Sequence, residues 1–277
     1  MAIKLGNKSI NKAYLGGVEI KKLYLGANVI FDNSVNPNLF IIEVKTDNTG
    51  TSNDNQFQFT GAEGDYDVVA KQNDIVVATF NDLSGQETIT LPSSGVYVLE
   101  IKAKASNGFN RIAFNGGGDK LKITDIKQWG KVAWSTFNAA FYGCSNMLTT
   151  ATDAPDLTNV TSIFRMFFGA SVSNPFIDNW NVINVINMQG FLRFADLSTP
   201  NPQNWNVINV TNMSNSFTRT NMSVENLTAC YENWSQLSLQ QNVAFGAGTT
   251  KYNTSGQAGR DILVNTYNWS ITDGGPA

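Results

Sequence analysis

Residues 179–188 read NWNVINVINM, and residues 204–213 read NWNVINVTNM. No other feature constrains the fold as strongly, because near-identical decapeptides at a fixed distance must occupy equivalent surroundings. A shift of 25 residues carries Trp180 onto Trp205, Val182 onto Val207, Val185 onto Val210 and Met188 onto Met213. The same shift backwards lands on Pro155, Leu157, Val160 and Ile163. A fainter copy lies 26 residues earlier still, with Trp134, Phe137, Phe141 and Gly143 ahead of Val160, Ile163, Phe167 and Gly169. Four copies are thus readable. A period in the twenties marks stacked coils that bury a common face, a solenoid.

Within one copy, Trp180 and Val182 alternate across Asn181, as Trp205 and Val207 do across Asn206, which is the period of a very short strand with one buried face. Beyond a turn at Asn184 or Asn209, Met188, Phe191 and Leu192 fall at i, i+3, i+4, as do Ile163, Met166 and Phe167. That spacing predicts a helical turn or short helix after each strand. A single copy cannot fold alone. Its handful of large apolar side chains contributes roughly 1.5–3 kcal/mol each on burial, whereas ordering the backbone costs about 1–2 kcal/mol per residue. The stack therefore needs neighbours and caps. Residues 257–267 (QAGRDILVNTY) read as a short helix, followed by Trp269 and Ile271 at strand alternation, and together these predict the C-terminal cap.

A second repeat opens the chain: IKLGNKSINK, AYLGGVEIKK, LYLGANVIFD. Leu5, Leu15 and Leu25, Gly6, Gly16 and Gly26, and Ile10, Ile20 and Ile30 coincide at a period of ten. This predicts strands of about seven residues turning at each glycine, a small β-meander that needs something to lean on. From residue 36 to about 119, alternation in DYDVVAKQNDIVVATF, ETITLPSSGVYVLEIKAKA and FNRIAF predicts an antiparallel β-sandwich.

Composition excludes several functions. Charged residues make up 15% of the chain and hydrophobic ones 42%, with Asn, Thr, Ser and Gly filling much of the rest, which favours strands and turns over long surface helices. A net charge of −3 offers no basic field for nucleic acid or for a membrane surface. No run of 18 apolar residues occurs, so membrane insertion is not expected. The chain has no histidine, which removes the commonest general base and metal ligand.

Asp153, Asp156 and Asp178 were weighed as a glycosidase carboxylate set, but they recur near copy boundaries, where Asp and Asn satisfy turn backbones. No DxDxDG calcium loop is present, and GGGD at 116–119 lacks the lysine and helix of a phosphate loop, leaving a turn. No catalytic, cofactor-binding or metal-binding residue is expected, and no cofactor. Cys144 and Cys230 are expected as buried free thiols. The N-x-S/T triplets at Asn159, Asn209 and Asn226 are what an Asn/Ser/Thr-rich chain produces by chance.

Trp180 and Trp205 read as core rather than as sugar-stacking platforms. If they point inward, Asn179, Asn181 and Ile183 on one copy and Asn204, Asn206 and Ile208 on the next point outward. Stacked strands would make these six the binding-face candidates, a neutral ladder of amides and aliphatics suited to a polysaccharide or a protein loop. A solvated face that binds nothing is the alternative.

The phrases NVTSIFRMFFGAS and NVTNMSNSF, the segment ITDIKQWGKVAWSTFNAAFYGCSNM, ATDAPDLTNVT and the ending AGRDILVNTYNWSITDGG resemble the BspA-like leucine-rich-repeat surface proteins, over residues 119–277. The resemblance implies a leucine-rich-repeat solenoid used for adhesion and protein binding, without catalysis. GVYVLEIKAKA is similar to the closing strand of the polycystic-kidney-disease type of sandwich, although KQND stands where that domain's WGDG turn would be. The decad repeat resembles the openings of phage and prophage structural proteins.

The expected fold is mainly β with short helices. It comprises an N-terminal β-meander over residues 1–33, an antiparallel β-sandwich spacer over 34–118 and a leucine-rich-repeat solenoid with its cap over 119–277. The opening MAIKLGNKSINK carries no apolar h-region of an export signal. These readings converge on a non-enzymatic phage virion structural protein of the tail or head fibre or decoration type, made in the host cytoplasm and oligomeric within the particle. Residues 1–33 would bind other virion proteins, and the solenoid would bind a host-surface protein or polysaccharide. The alternative is a bacterial cell-surface adhesion protein of the BspA-like family.

Overall fold

The chain forms two compact units, Met1–Asn38 and Leu39–Ala277. The computed structural model describes residues 36–172, 177–195 and 199–277 with their side chains, and six short strands of backbone before residue 36. The architecture is mainly β, with two short α-helices among the described residues.

In the first unit each decad folds back on itself. Lys4–Leu5 (β1) pairs antiparallel with Lys8–Ser9 (β2), Ala13–Leu15 (β3) with Val18–Ile20 (β4), and Lys22–Leu25 (β5) with Asn28–Asp32 (β6). The expected seven-residue strands are instead two to five residues long, because each decad is divided between the two arms of its own hairpin. The described pairing forms three separate two-stranded sheets rather than a continuous meander. The turns at Gly6, Gly16 and Gly26 lie outside the described residues.

The second unit begins with regular antiparallel strands. Phe40–Lys45 (β7), Asp65–Gln72 (β9), Ile75–Ser84 (β10) and Val96–Ala103 (β12) run in the order β10-β9-β12-β7. Alternate residues of the inner strands, Phe40, Ile42 and Val44, Tyr66, Val68 and Ala70, and Tyr97, Leu99 and Ile101, are buried, as a sheet with one covered face requires. Asn73 and Asp74 join β9 to β10 with φ of 51° and 62°, the left-handed pair that a two-residue hairpin turn needs. A short ribbon of Gln56–Gln58 (β8) and Thr88–Thr90 (β11) contributes the buried Phe57 and Ile89.

The sandwich boundary drawn at residue 118 falls inside this unit. Ile123–Gln128 (β13) pairs antiparallel with β7 on one side and parallel with Leu148–Thr149 (β14) on the other. It is the strand at which antiparallel pairing gives way to the parallel stacking of the copies. The core is continuous across it. Phe40 packs edge-on against Trp134 at a centroid distance of 5.1 Å, and Trp129 meets Trp180 at 5.8 Å. From there an aromatic ladder runs along the stack, Phe141–Phe167 at 5.6 Å, Phe167–Phe191 at 5.7 Å, Phe191–Phe217 at 6.4 Å and Phe217–Phe245 at 6.2 Å.

Successive copies are bonded to one another in parallel. Isolated bridges join Ser162 to Asn187 and Asn187 to Asn212. The series continues through Asn212–Met213 (β15), Ala244–Gly246 (β16) and Ser270–Thr272 (β17). Two expectations are corrected here. Residues 180–182 are not a strand: Ile177–Asn179 is a 3-10 turn, and Trp180 N–H returns to the Ile177 carbonyl at 3.0 Å. Trp180 and Val182 are nevertheless buried, as read.

Nor does a helix follow. Ile163, Arg165, Phe167 and Gly169 donate their N–H groups to Asn187, Gln189, Phe191 and Arg193 of the next copy, all at 2.9 Å, while Met166, Phe168 and Ala170 donate back to residues 163, 165 and 167. The wall is a chain of tight turns. Left-handed residues at Arg165 and Gly169, and at Gly190 and Phe194 one copy on, prevent a helix from propagating.

The C-terminal cap forms as expected, with Gln257–Asn265 (α2) ahead of β17. A second helix, Val224–Trp234 (α1), was not anticipated. Ser223 caps it by accepting the Asn226 N–H at 3.1 Å, and Leu227, Cys230, Tyr231 and Trp234 bury one face. Asp273 ties the cap together, accepting from the Tyr231 hydroxyl at 2.6 Å and from Arg260 Nε at 2.7 Å.

Candidate functional site

The copies present two kinds of surface built from the repeating turns. At each turn an Asx side chain caps the backbone two residues ahead: Asp156 accepts from Thr158 N–H at 2.9 Å, Asn181 from Ile183 at 3.3 Å and Asn206 from Ile208 at 3.3 Å. The carbonyls of those same residues then accept a side-chain amide from the following copy. Asn184 donates to Thr158 at 2.8 Å, Asn209 to Ile183 at 2.8 Å and Gln240 to Ile208 at 2.9 Å. This amide ladder lines a shallow groove of about 460 Å³ with the hydroxyls of Thr158, Thr161 and Thr211, and with Ile186 at 43% exposure. The groove is uncharged, so it can offer hydrogen bonds and one aliphatic contact but no group able to move a proton at neutral pH.

The six residues singled out from sequence do not form a strand ladder. Asn179, Asn181, Asn204 and Asn206 are exposed, and Ile183 and Ile208 are half-buried. Asn181 and Asn206 serve as turn caps. Asn204 and Asn206 border a smaller depression of about 230 Å³ beside Trp205, Asn233 and Trp234, but Trp205 and Trp180 are 2% and 3% exposed and belong to the core. The groove is lined by residues just downstream of the expected ones, because the parallel bridges fall at Ser162, Asn187 and Asn212. The repeated INM and TNM triplets were the available signal.

The carboxylates weighed for catalysis all hold turns. Asp153 accepts the N–H groups of Trp129 and Gly130 at 3.0 and 2.8 Å, and Asp178 accepts from Asn201 at 3.3 Å. The Thr158 hydroxyl and N–H hold the Asp156 carboxyl below its ordinary value. Cys144 and Cys230 are free and buried, and burial pushes both thiols well above their usual range. Among the described residues, no group of three or more His, Cys, Asp or Glu is arranged to hold a metal ion, and no helix is long and apolar enough to cross a membrane.

The GGGD turn organises a buried knot. Asp119 accepts the N–H groups of Thr51, Ser52 and Gln58 at 2.8, 3.0 and 2.7 Å. The Lys122 ammonium donates to the carbonyls of Ser52, Asn53 and Gln56 at 2.9, 2.8 and 3.0 Å, and both charged side chains are fully buried. Burial alone would raise the Asp119 carboxyl, but the Ser52 hydroxyl, the Ser52 and Gln58 N–H groups and Lys122 bring it below its ordinary value.

A family model described as "Mycoplasma protein of unknown function, DUF285" matches residues 114–256, more than half of the chain. The chain belongs to this family. The matched segment contains the Asp119–Lys122 knot, all four copies and the groove, and it is consistent with the BspA-like resemblance of the repeats. No curated protein and no solved structure matches the chain.

Proposed function

We propose that the chain is a non-enzymatic recognition protein in which the repeats form a leucine-rich-repeat solenoid that adheres to a host surface through the neutral groove. In this reading it is a structural component of a phage particle, with residues 1–33 joined to other virion proteins and the β-rich region from 34 to 118 acting as spacer. The observation that carries the reading is the amide ladder: Asn184, Asn209 and Gln240 repeat one hydrogen-bonding unit along successive copies and thereby build an extended, uncharged face. Such a face gains affinity by multiplying weak contacts along a partner rather than by enclosing it. The decad repeat supports the attachment role.

Ile186→Glu tests the adhesion. Ile186 is 43% exposed, so the fold should tolerate the charge while the groove does not. Labelled wild-type chain is expected to be retained on susceptible cells and the variant to wash off; equal retention would overturn the assignment of the groove. Removing residues 2–33, which lie within the first compact unit, is expected to leave a folded remainder that no longer enters particles.

A bacterial cell-surface adhesion protein is the second reading, favoured by the match to a family described from Mycoplasma. Immunogold labelling separates the two, decorating purified particles in the first case and intact cells in the second.

A further inference from the structure

Between Lys131 and Lys251 the chain carries only three basic residues, Arg165, Arg193 and Arg219. Their spacings of 28 and 26 residues do not follow the period of 25, yet the fold draws all three onto one line. The Arg165 guanidinium carbon lies 4.9 Å from the centroid of Phe164 and 5.4 Å from that of Phe168. Arg193 lies 5.7 Å from Phe168 and 4.8 Å from Phe194, and Arg219 lies 5.0 Å from Phe194. Cation and ring thus alternate along the stack. Tyr142, Phe168 and Phe194 step from copy to copy at centroid distances of 4.8 and 5.3 Å.

Nothing on the protein neutralises this stripe. No ion pair among the described residues involves any of the three arginines. The Nε of Arg193 is buried without a hydrogen-bond partner. Three like charges against shared rings repel one another in a chain whose net charge is −3, an arrangement with no benefit to the fold that carboxylate neighbours would not improve. A guanidinium laid against a ring keeps its in-plane N–H fork free, the geometry that grips a carboxylate through two hydrogen bonds.

We infer that this stripe is a second binding face, separate from the neutral groove, for an acidic polysaccharide whose carboxylates recur along a linear chain. Nucleic acid fits poorly: three cations give little counterion release, and the ring faces on which bases would stack are covered by guanidinium. A protein partner would place its anchors in a pocket, and neither the groove nor the depression at Asn204 contains a residue of the stripe. Evenly stepped, shallow and individually weak contacts suit a repeating polymer bound by avidity.

The full chain is titrated with alginate, a linear uronate polymer, and in parallel with neutral dextran, poly-glutamate and single-stranded DNA. Binding to alginate alone is expected, weakening as salt rises from about 0.01 to 0.15 M and the screening length falls from about 30 to 8 Å. Arg219→Gln, at the exposed end of the stripe, is expected to weaken it roughly tenfold, and substitution of all three arginines to abolish it. Should the triple variant fail to fold, the Arg219 variant decides. Absence of alginate binding at low salt, equal affinity for poly-glutamate or DNA, or an unchanged Arg219→Gln affinity would each overturn the assignment. Because Ile186→Glu leaves the stripe intact, failure of the groove reading and failure of this one are separable.

Discussion

Strand β9 and residues 163–170 are each eight residues long, and both bury one side against the same continuous core, but their backbones are satisfied differently. In β9 every second side chain is buried and the strand pairs with β10 and β12, two strands that also run straight. In 163–170 the buried positions are Ile163, Met166, Phe167 and Ala170, a helical spacing, yet alternate N–H groups leave the segment for the next copy. The periodicity of burial therefore reports which side chains face the core. It does not report where the hydrogen bonds go, because consecutive tight turns place side chains at i, i+3 and i+4 as a helix does.

If the two halves share one core, the largest effects should come from buried groups in either half and should unfold both together. Trp205→Ala removes a ring that meets Phe191 and Phe217 at 5.9 and 6.2 Å and donates Nε1 to the Ile177 carbonyl at 2.8 Å. A loss of about 3–5 kcal/mol is expected in chemical denaturation. Asp119→Ala leaves Lys122 buried without its counter-charge and should cost a similar amount, about 3–5 kcal/mol. Each variant should show a single transition; two separate transitions would mean that the halves fold independently.

Acid provides the next contrast, since the Asp119 knot lies in the sheet half alone. Its folded-state carboxyl is depressed below 3.8, so the unfolded chain takes up the proton first. The stabilisation is fully present above the unfolded value and is lost as pH falls through the lower folded one. Denaturant midpoints of wild type and Asp119→Asn should therefore differ at pH 7 and converge below about pH 3.8.

Glycines sharpen the comparison at smaller scale. Gly130, with φ of 66°, sits where β13 turns into the copies, and a Cβ there would run into the Leu39 carbonyl oxygen. Gly169 adopts nearly the same φ of 62°, with open space around it. Gly130→Ala should cost about 3 kcal/mol or more through strain and displacement together, and Gly169→Ala about 1 kcal/mol through strain alone. At the small end, Asn209→Ala removes one inter-copy hydrogen bond and should cost about 1 kcal/mol. Asn206→Ala removes only a 3.3 Å turn cap and should cost about 0.5 kcal/mol. Calorimetric midpoints measure all four.

Side-chain direction was legible in the sequence, because identical residues at a fixed interval must occupy identical slots. Trp180, Val182, Met188, Phe191 and Leu192 are buried as read, and the cap of α2 and β17 stands where its alternation placed it. Helix α1 was legible but unread: Ser223 followed by Leu227, Cys230, Tyr231 and Trp234 is a capped apolar face. The position of the bridges was not legible, since short, irregular pairing leaves no alternation longer than two residues. The arginine stripe escaped because its members break the period that revealed everything else.

Amide hydrogen exchange tests the stack most directly. The N–H groups of Ile163, Arg165, Phe167, Met188, Gly190 and Leu192 all donate to the following copy. They should exchange as slowly as those of β9 and β12 and through the same cooperative opening. Exchange of these six at the rate of exposed loops, with β9 and β12 still protected, would contradict the account.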